Sequence, residues 1–574
     1  MKLLEVWAPE ARKVELITGG ERRALERCAN GHWRPLGFTL DAGADYAFSI
    51  DGGPPLPDPR SREQPHGLHG ASRVPNAEFA WSDRRFRAPP LSSAIIYELH
   101  VGTFAADGTF DGVIERLSHL EALGVTHIEI MPVAEFPGAH GWGYDGVFLY
   151  APHGAYGGAL GLKRLVDACH ARDIAVLLDV VYNHLGPDGN VLPRFGPYLT
   201  ERHHTPWGAA LNLDGEGSPE VRRFLIDNAL YWLEEFHLDG LRLDAVHALH
   251  DSSARHFLEQ LAVEVAVLSE RLGKPLDLIA ESDLNDPRLI RAREVGGFGL
   301  EAQWADDFHH ALHVVLTHEQ QAYYSDYAGL RDLARVLECG FLYGGQYSAF
   351  RKRNHGQPLG NLSRKKLVCF MQNHDQVGNR ARGERIGHLV SPRRAKLGAA
   401  LLLLGPFVPL LFQGEEWNAS APFLYFTDHQ DEGLARATRD GRRREFSAFG
   451  WRAEEVPDPQ SPETFRSSRL DFDEISRAEH ASMLELYRAL IRLRRGCIEL
   501  ASSGVSVEHD DATGFLAIDR EDSRVAVNFG KETLRVPFAR GVRYSVVCST
   551  EGAGIDGETL LMPPESLAVA IASK

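Results

Sequence analysis

The stretch Gly240-Leu241-Arg242-Leu243-Asp244-Ala245-Val246-His247 sets a short apolar run directly before a carboxylate. Two more stretches repeat the arrangement further along: Leu278-Ile279-Ala280-Glu281-Ser282-Asp283 and Met371-Gln372-Asn373-His374-Asp375. Runs of this kind read as parallel strands buried on both faces. In an α/β protein, a carboxylate just past the end of such a strand lies where active sites are built. Three carboxylates converging on one rim are the equipment for breaking a glycosidic bond: a nucleophile, an acid and a third charge at the sugar.

Working outward, the segments fall into a longer alternation of strands and helices. Ile95 to Val101, Thr126 to Met131 and Ile174 to Val181 read as strands one to three, and the fourth ends at Asp244. Leu276 to Ala280, Ala302-Gln303-Trp304, Leu367 to Met371 and Val408 to Phe412 supply four more. Between the first two, Val113, Ile114, Leu117, Leu120 and Leu123 recur at helical spacing, with Gly124 at the stop position. Ser218-Pro219-Glu220 opens a helix with a cap residue and a proline at its first position, a further helix starts near Ala254, and Ser391-Pro392 caps another. Eight strands with helices between them predict a (β/α)8 TIM barrel. The long excursions at about 183–217 and 303–365 are expected to be inserted loops or subdomains on the catalytic rim.

The ends of the chain read differently. Val14-Glu15-Leu16-Ile17 stops at Gly19-Gly20, and Tyr46-Ala47-Phe48-Ser49-Ile50 stops at Asp51-Gly52-Gly53, a pattern of short strands and turns. Proline-rich stretches from Pro54 to Pro65 and at Pro89-Pro90 mark a boundary. After Gly496, Gly514-Phe515-Leu516-Ala517-Ile518 and Val525-Ala526-Val527 return to short β runs. The expected units are an N-terminal β-sandwich at 1–90, a catalytic barrel at 91–495 and a C-terminal β-sandwich at 496–574.

A chain of 574 residues is too long for one compact domain, which agrees with this division. Its formal charge of −17 argues against nucleic acid or an anionic membrane as partner, but not against neutral sugars. The longest apolar run, from about Ala399 to Phe412, is broken by Gly405, Pro406 and Pro409, and falls short of the roughly 18 residues a membrane span needs. The start, Met1-Lys2-Leu3-Leu4-Glu5-Val6, lacks the apolar core of a signal peptide. The cysteines Cys28, Cys169, Cys339, Cys369, Cys497 and Cys548 lie far apart, as reduced thiols of a cytoplasmic protein would.

Each acid also has a plainer reading. Arg242 and Asp244, two apart on a strand, share a face, and a guanidinium there keeps a carboxylate ionised and aimed for attack on an anomeric carbon. A structural Arg–Asp pair would look the same. Glu281, at the mouth of an apolar strand and near another carboxylate, is expected to hold its proton as a general acid, where the alternative is an exposed loop glutamate. Asn373, His374, Asp375 and Gln376 suit sugar hydroxyls, or a polar turn. Asp179 and His184, in Asp179-Val180-Val181-Tyr182-Asn183-His184, could bind sugar or brace the catalytic groups. Asn183 could help hold calcium, although no dense oxygen-ligand loop is visible. Trp142 and Tyr144 could stack on sugar rings or pack in a core. Asp306-Asp307-Phe308-His309-His310 reads as a dense polar–aromatic loop past strand six, better suited to sugar than to a metal. What separates the catalytic reading from the plainer ones is the occurrence of all three acids in barrel order.

Four regions, Asp179 to His184, Gly240 to His247, the Glu281 segment and Asn373-His374-Asp375, closely resemble the signature regions of the α-amylase superfamily. The opening Val6-Trp7-Ala8-Pro9 resembles the N-terminal β-domain of its branching, debranching and trehalose-forming members. Longer stretches resemble the maltooligosyltrehalose trehalohydrolases: Ala280-Glu281-Ser282-Asp283-Leu284-Asn285-Asp286, Gln303-Trp304 with Asp306 to His310, Gln413-Gly414-Glu415-Glu416-Trp417 leading to Tyr425-Phe426-Thr427-Asp428-His429, and Gly441-Arg442-Arg443-Arg444-Glu445-Phe446. Ala305 departs from the larger or polar residue expected there. The resemblance implies hydrolysis of the α-1,4 bond next to a terminal trehalose, with Asp244 as nucleophile, Glu281 as acid/base and Asp375 as transition-state stabiliser. It implies that Arg242, His247, His374 and Tyr144 line the cleaved sugar's subsite, and that Asp306, Asp307, Phe308, His309, His310, Gln376 and Asn379 bind neighbouring units. It implies no cofactor and no calcium, an α-glucan substrate, and a maltooligosyltrehalose synthase as metabolic partner. Two rivals remain: a glycogen-branching enzyme, against which the Asp306 to His310 stretch argues, and a catalytically dead glucan-binding barrel, which would be expected to lose at least one of the acids.

Overall fold

The computed structural model describes residues 4–572 apart from 77, 206–207, 448–451, 503 and 539–541. Eight parallel strands close into one barrel: β1 (Ile96–Leu99), β2 (His127–Ile130), β3 (Ala175–Val180), β4 (Gly240–Leu243), β5 (Asp277–Ala280), β6 (Ala302–Trp304), β7 (Leu367–Phe370) and β8 (Val408–Phe412), with β8 pairing back onto β1. All of their residues except Asp277 are buried, as expected of strands covered on both faces. Ile96, Leu177, Ile279, Ala302, Trp304, Val368, Phe370, Val408 and Leu410 pack into one apolar cluster. The in-register row Glu98–Glu129–Leu177 and the row Asp179–Arg242–Ile279–Ala302 bring charged residues alongside it.

The helices follow their sequence signals with two shifts. Helix α1 (Phe110–Leu123) is capped by Thr109, whose hydroxyl accepts from the Gly112 amide, and stops at left-handed Gly124. After α2 (Gly158–His170), helix α3 (Ser218–Glu235) places Gly217 at the cap, so Ser218 lies inside the first turn. Helix α4 (Phe257–Leu272) begins three residues later than expected, capped by the His256 side chain. Helix α5 (Asp306–Thr317) occupies the stretch read as a loop. Its two leading aspartates favour a helix N-terminus, and Phe308, Ala311, Leu312 and Val315 behind them give it a buried face. Helix α6 (Leu330–Cys339) packs on α5, so the excursion after β6 carries two helices joined by loops. Ser391 caps α7 (Pro392–Leu403) by accepting from the Arg394 amide, and α8 (Ala478–Gly496) closes the barrel layer.

Two antiparallel sheets of three and four strands precede the barrel, and two of five and three strands follow it. The segment entering the barrel is clasped to its wall. His170, at the end of α2, sits between Asp83 and Asp239, 2.9 Å from each, and Phe86 stacks on its ring at 4.0 Å. His237 adds a 2.7 Å contact to Asp83 and carries Trp81 stacked at 3.8 Å. All six cysteines are free. Among the described residues no helix is long and apolar enough to cross a membrane.

Candidate active site

One guanidinium organises the rim. Arg242, fully buried on β4, donates through Nη1 to Asp179 Oδ1 and Oδ2 at 2.9 and 2.8 Å and to Asp244 Oδ1 at 2.9 Å. Its Nη2 lies 3.2 Å from Glu281 Oε2, and its plane sits 4.2 Å over the Trp304 ring. The i, i+2 spacing on a strand thus delivers Arg242 and Asp244 to the same face, and the end of β5 brings Glu281 to the other side of the same cation. Asn183 Nδ2 donates to Asp244 Oδ2 at 2.6 Å and to its carbonyl at 2.9 Å, so the Asp244 carboxylate is fixed from two sides. The Asn183 amide oxygen faces His184 Nδ1. Among the described residues no group of three or more His, Cys, Asp or Glu is placed to hold a metal ion.

Asp244 and Glu281 are also joined through the main chain. Ala245 adopts a left-handed conformation, φ 39°, uncommon for a residue with a Cβ. The turn aims its N–H at Glu281 Oε2, 2.5 Å away. Burial is the main influence on the Glu281 carboxyl and raises it; Arg242 draws it back, and the charges of Asp244 and Asp375 push it up again, to about 8. At neutral pH the group therefore keeps its proton, as a general acid must.

Asp375, on the turn after β7, is the most open of the three acids, with 38% of its side chain exposed. Asn379 Nδ2 donates to its Oδ1 at 3.1 Å. The adjacent His374 is buried and tied at both nitrogens, Nδ1 2.5 Å from Glu98 Oε1 and Nε2 2.8 Å from the Tyr144 hydroxyl. Its backbone N–H donates to Glu98 Oε2 at 2.9 Å. Burial alone would discharge the imidazole, but the Asp375 and Glu98 carboxylates outweigh it and raise its pKa to about 9. Tyr144 donates to Asp179 Oδ2 at 2.6 Å and lies face-on to His374, with 5.2 Å between ring centroids. Asp179 is held between burial, which raises it, and Arg242, which lowers it, at about 6. Of the two roles open to it, bracing the catalytic groups is the one its contacts describe. His247 stands exposed one turn past Asp244, and His184 is buried against the Tyr144 carbonyl at 3.0 Å and the Asn183 side chain.

Asp306, at the start of α5, is half-buried, and no hydrogen bond reaches its side chain among the described residues. Burial, reinforced by Asp283, Asp375 and Asp307, raises it to about 7, which places it in the field of the catalytic rim. The rest of the expected sugar-binding stretch turns inward. Asp307 accepts from Asn285 Nδ2, the Tyr327 hydroxyl and the amides of Leu342 and Tyr343, and so ties the rim loops together. Phe308 is fully buried against Phe407. His309 bonds the Met371 carbonyl at 2.8 Å and the Tyr324 hydroxyl at 3.0 Å, and His310 bonds the Tyr327 hydroxyl at 3.1 Å; both are buried. The helix explains the change: residues 307 to 310 sweep a full turn, and most of that turn faces protein. Trp142 is likewise a packing residue, stacked on Phe423 at 5.3 Å and donating to the Leu424 carbonyl at 2.9 Å. Gln376 is half-buried within reach of Tyr323, and exposed Asn379 also accepts from Arg442. The sequence reading overlooked Glu98, Tyr323 and the Ala245 amide. For Glu98 a signal existed, a carboxylate inside an otherwise apolar strand.

Comparison with known proteins places this geometry. The alpha amylase catalytic domain model matches residues 77–194, and a domain of unknown function (DUF3459) matches 501–569. A malto-oligosyltrehalose trehalohydrolase from Arthrobacter ramosus is 50% identical, covering 96% of this chain and 97% of its own. One from Rhizobium sp. (strain M-11) is 46% identical over 98% and 97%. The 1,4-alpha-glucan branching enzyme GlgB of a Shewanella species matches only 42% of the chain, at 36% identity. Among solved structures, one from Salmonella typhimurium assigned to alpha amylase is 37% identical, covers 99% of this chain and 97% of its own, and superposes with a TM-score of 0.91.

Proposed function

The chain belongs to the malto-oligosyltrehalose trehalohydrolase family of α-amylase-type glycoside hydrolases, and on that premise we propose that it hydrolyses the α-1,4-glucosidic bond next to the terminal trehalose of a maltooligosyltrehalose, releasing trehalose. The reaction is read as retaining. Asp244 attacks the anomeric carbon while Glu281 gives its proton to the departing glycosidic oxygen, and trehalose leaves. Water then attacks the glycosyl-enzyme, Glu281 takes a proton from it, and the C–O bond to Asp244 breaks. Asp375 stabilises the positive charge that builds on the sugar ring, and Arg242, His247, His374 and Tyr144 line its subsite.

The observation that carries this assignment is the shared cation: Arg242 touches Asp244 at 2.9 Å and Glu281 at 3.2 Å, so nucleophile and acid face one cleft. The contrast between a fixed, hydrogen-bonded Asp244 and a proton-holding Glu281 supports the division of roles. We further read the units as 1–90, 91–495 and 496–574, a maltooligosyltrehalose synthase as the source of substrate, and the cytoplasm as the location, which suits six free cysteines. The test is to incubate the protein separately with maltooligosyltrehalose and with plain maltooligosaccharides and identify the sugars. Free trehalose from the first at a rate well above glucan breakdown in the second is expected. Transfer of glucan chains to new branch points would establish the branching reaction instead.

A further inference from the structure

Beneath the three acids lies a second carboxyl that the mechanism does not use. Glu129 on β2 is the in-register partner of Glu98 on β1, and both are 1% exposed. Glu98 is fully engaged with His374, whereas neither oxygen of Glu129 has a hydrogen-bond partner among the described residues. Arg242 Nε, on β4, is unpartnered in the same way. A buried polar atom without a partner is costly, and native proteins generally satisfy such groups with ordered water where two to four polar atoms converge. Glu98 stands directly beside Glu129 in register on the neighbouring strand, with both side chains buried, so one water between the two carboxyls is the shortest way to satisfy it.

We propose that Glu129 is a positioning residue for His374: it hydrogen-bonds through buried water to its in-register neighbour Glu98, and so fixes the carboxylate that grips the imidazole. An ionised Glu129 would instead set a third negative charge beside Glu98 and Asp179, whose cations are already committed to Asp244, Asp375 and each other's partners. Burial first, and then the Glu98 charge, hold its proton far more tightly than an ordinary glutamic acid does. The role is therefore that of a fixed donor, not of an acid or base, and it rests on reading His374 as a contact to the sugar.

Two variants and one spectrum test it. Glu129→Gln keeps the size and a donor, so kcat should stay within about threefold of the native value. Glu129→Met removes the donor, and kcat should fall roughly 30-fold or more with KM little changed, as expected when a group that aligns the reacting ring shifts. In infrared spectra taken near pH 10, where Glu281 and the buried Glu415, both raised to about 8 chiefly by burial, have ionised, the native protein should show a protonated-carboxyl band that Glu129→Gln lacks. Equal losses in both variants, or native kcat in a folded Glu129→Met, would overturn the proposal. So would identical carboxyl bands in the native and Gln proteins. If Glu129→Met does not fold, the Gln kinetics and the spectrum still decide. The spectrum needs no substrate, whereas a wrong reaction assignment would appear as an absence of trehalose from the native enzyme.

Discussion

Raising the pH should switch off bond cleavage through one group. Glu281 is raised to about 8, by burial first, with Arg242 opposing and Asp244 and Asp375 adding. A carboxyl at that value is about nine-tenths protonated at pH 7 and about one-tenth at pH 9, so kcat/KM should fall roughly tenfold between them. A glutamic acid at its ordinary value of about 4.3 would be protonated in about one molecule in 500 at pH 7, and would leave the enzyme with little acid at all. The direction is fixed by the role: the acid must enter the reaction carrying its proton, so activity lies below the limb and is lost above it. The assay is kcat/KM for trehalose release from pH 6 to 10, which reports the free enzyme through the first irreversible step. A maltosyl fluoride gives the control, because fluoride departs without protonation. Its limb near pH 8 should vanish, and Glu281→Ala should retain far more activity on the fluoride than on the natural linkage. A limb of equal depth for both substrates would refute Glu281 as the proton donor.

Asp244→Ala should lower turnover by about 10⁴-fold or more while the protein stays folded, since Arg242 keeps Asp179 and Glu281; residual glycosyl-enzyme trapped by mass spectrometry would refute the nucleophile. Asp306→Ala should reduce the kcat/KM ratio of maltooligosyltrehalose over maltooligosaccharide, whereas buried His309→Ala should cost about 1–3 kcal/mol of stability in urea and leave the ratio alone. An unchanged ratio for Asp306→Ala would move selectivity to the segment between Asn183 and Leu213. His170→Ala should destabilise the clasp by about 3 kcal/mol at pH 6. Burial lowers the His170 imidazole, but Asp239 and Asp83 outweigh it and raise it above its ordinary value, so its contribution is complete below that ordinary value and is lost as pH rises through the raised one. The gap between native and variant stability should accordingly narrow on going to alkaline pH, and a gap that widens would be incompatible with a charged His170.

The strands were legible because a barrel strand covered on both faces is an apolar run of strand length, and each such run ends in a residue of a different chemical kind. The same double burial hid Glu98 and Glu129. In Ile96-Tyr97-Glu98-Leu99, the lone carboxylate in an apolar run signals that something must hold it, but nothing local says that it faces the inside of a barrel. Asp306 to His310 misled for a related reason. Polar side chains in a helix between two protein layers carry the composition of a loop, and only the period of Phe308, Ala311 and Leu312 separates the two. Trp142 was undecidable from its neighbours, because the carbonyl it donates to is 282 residues away.

The left-handed turn at Ala245 has a further consequence. The peptide that follows the attacking aspartate is the same one that touches the proton donor, so the two groups form a single mechanical unit. When Glu281 releases its proton, the new charge appears beside an amide dipole already aimed at it, and when it later recovers a proton from water the dipole is still there. The enzyme can therefore alternate between its two half-reactions with no change of shape at this corner. By the same token, Ala245→Pro, which cannot adopt a positive φ and has no N–H to donate, would uncouple the pair and slow both halves of the cycle together.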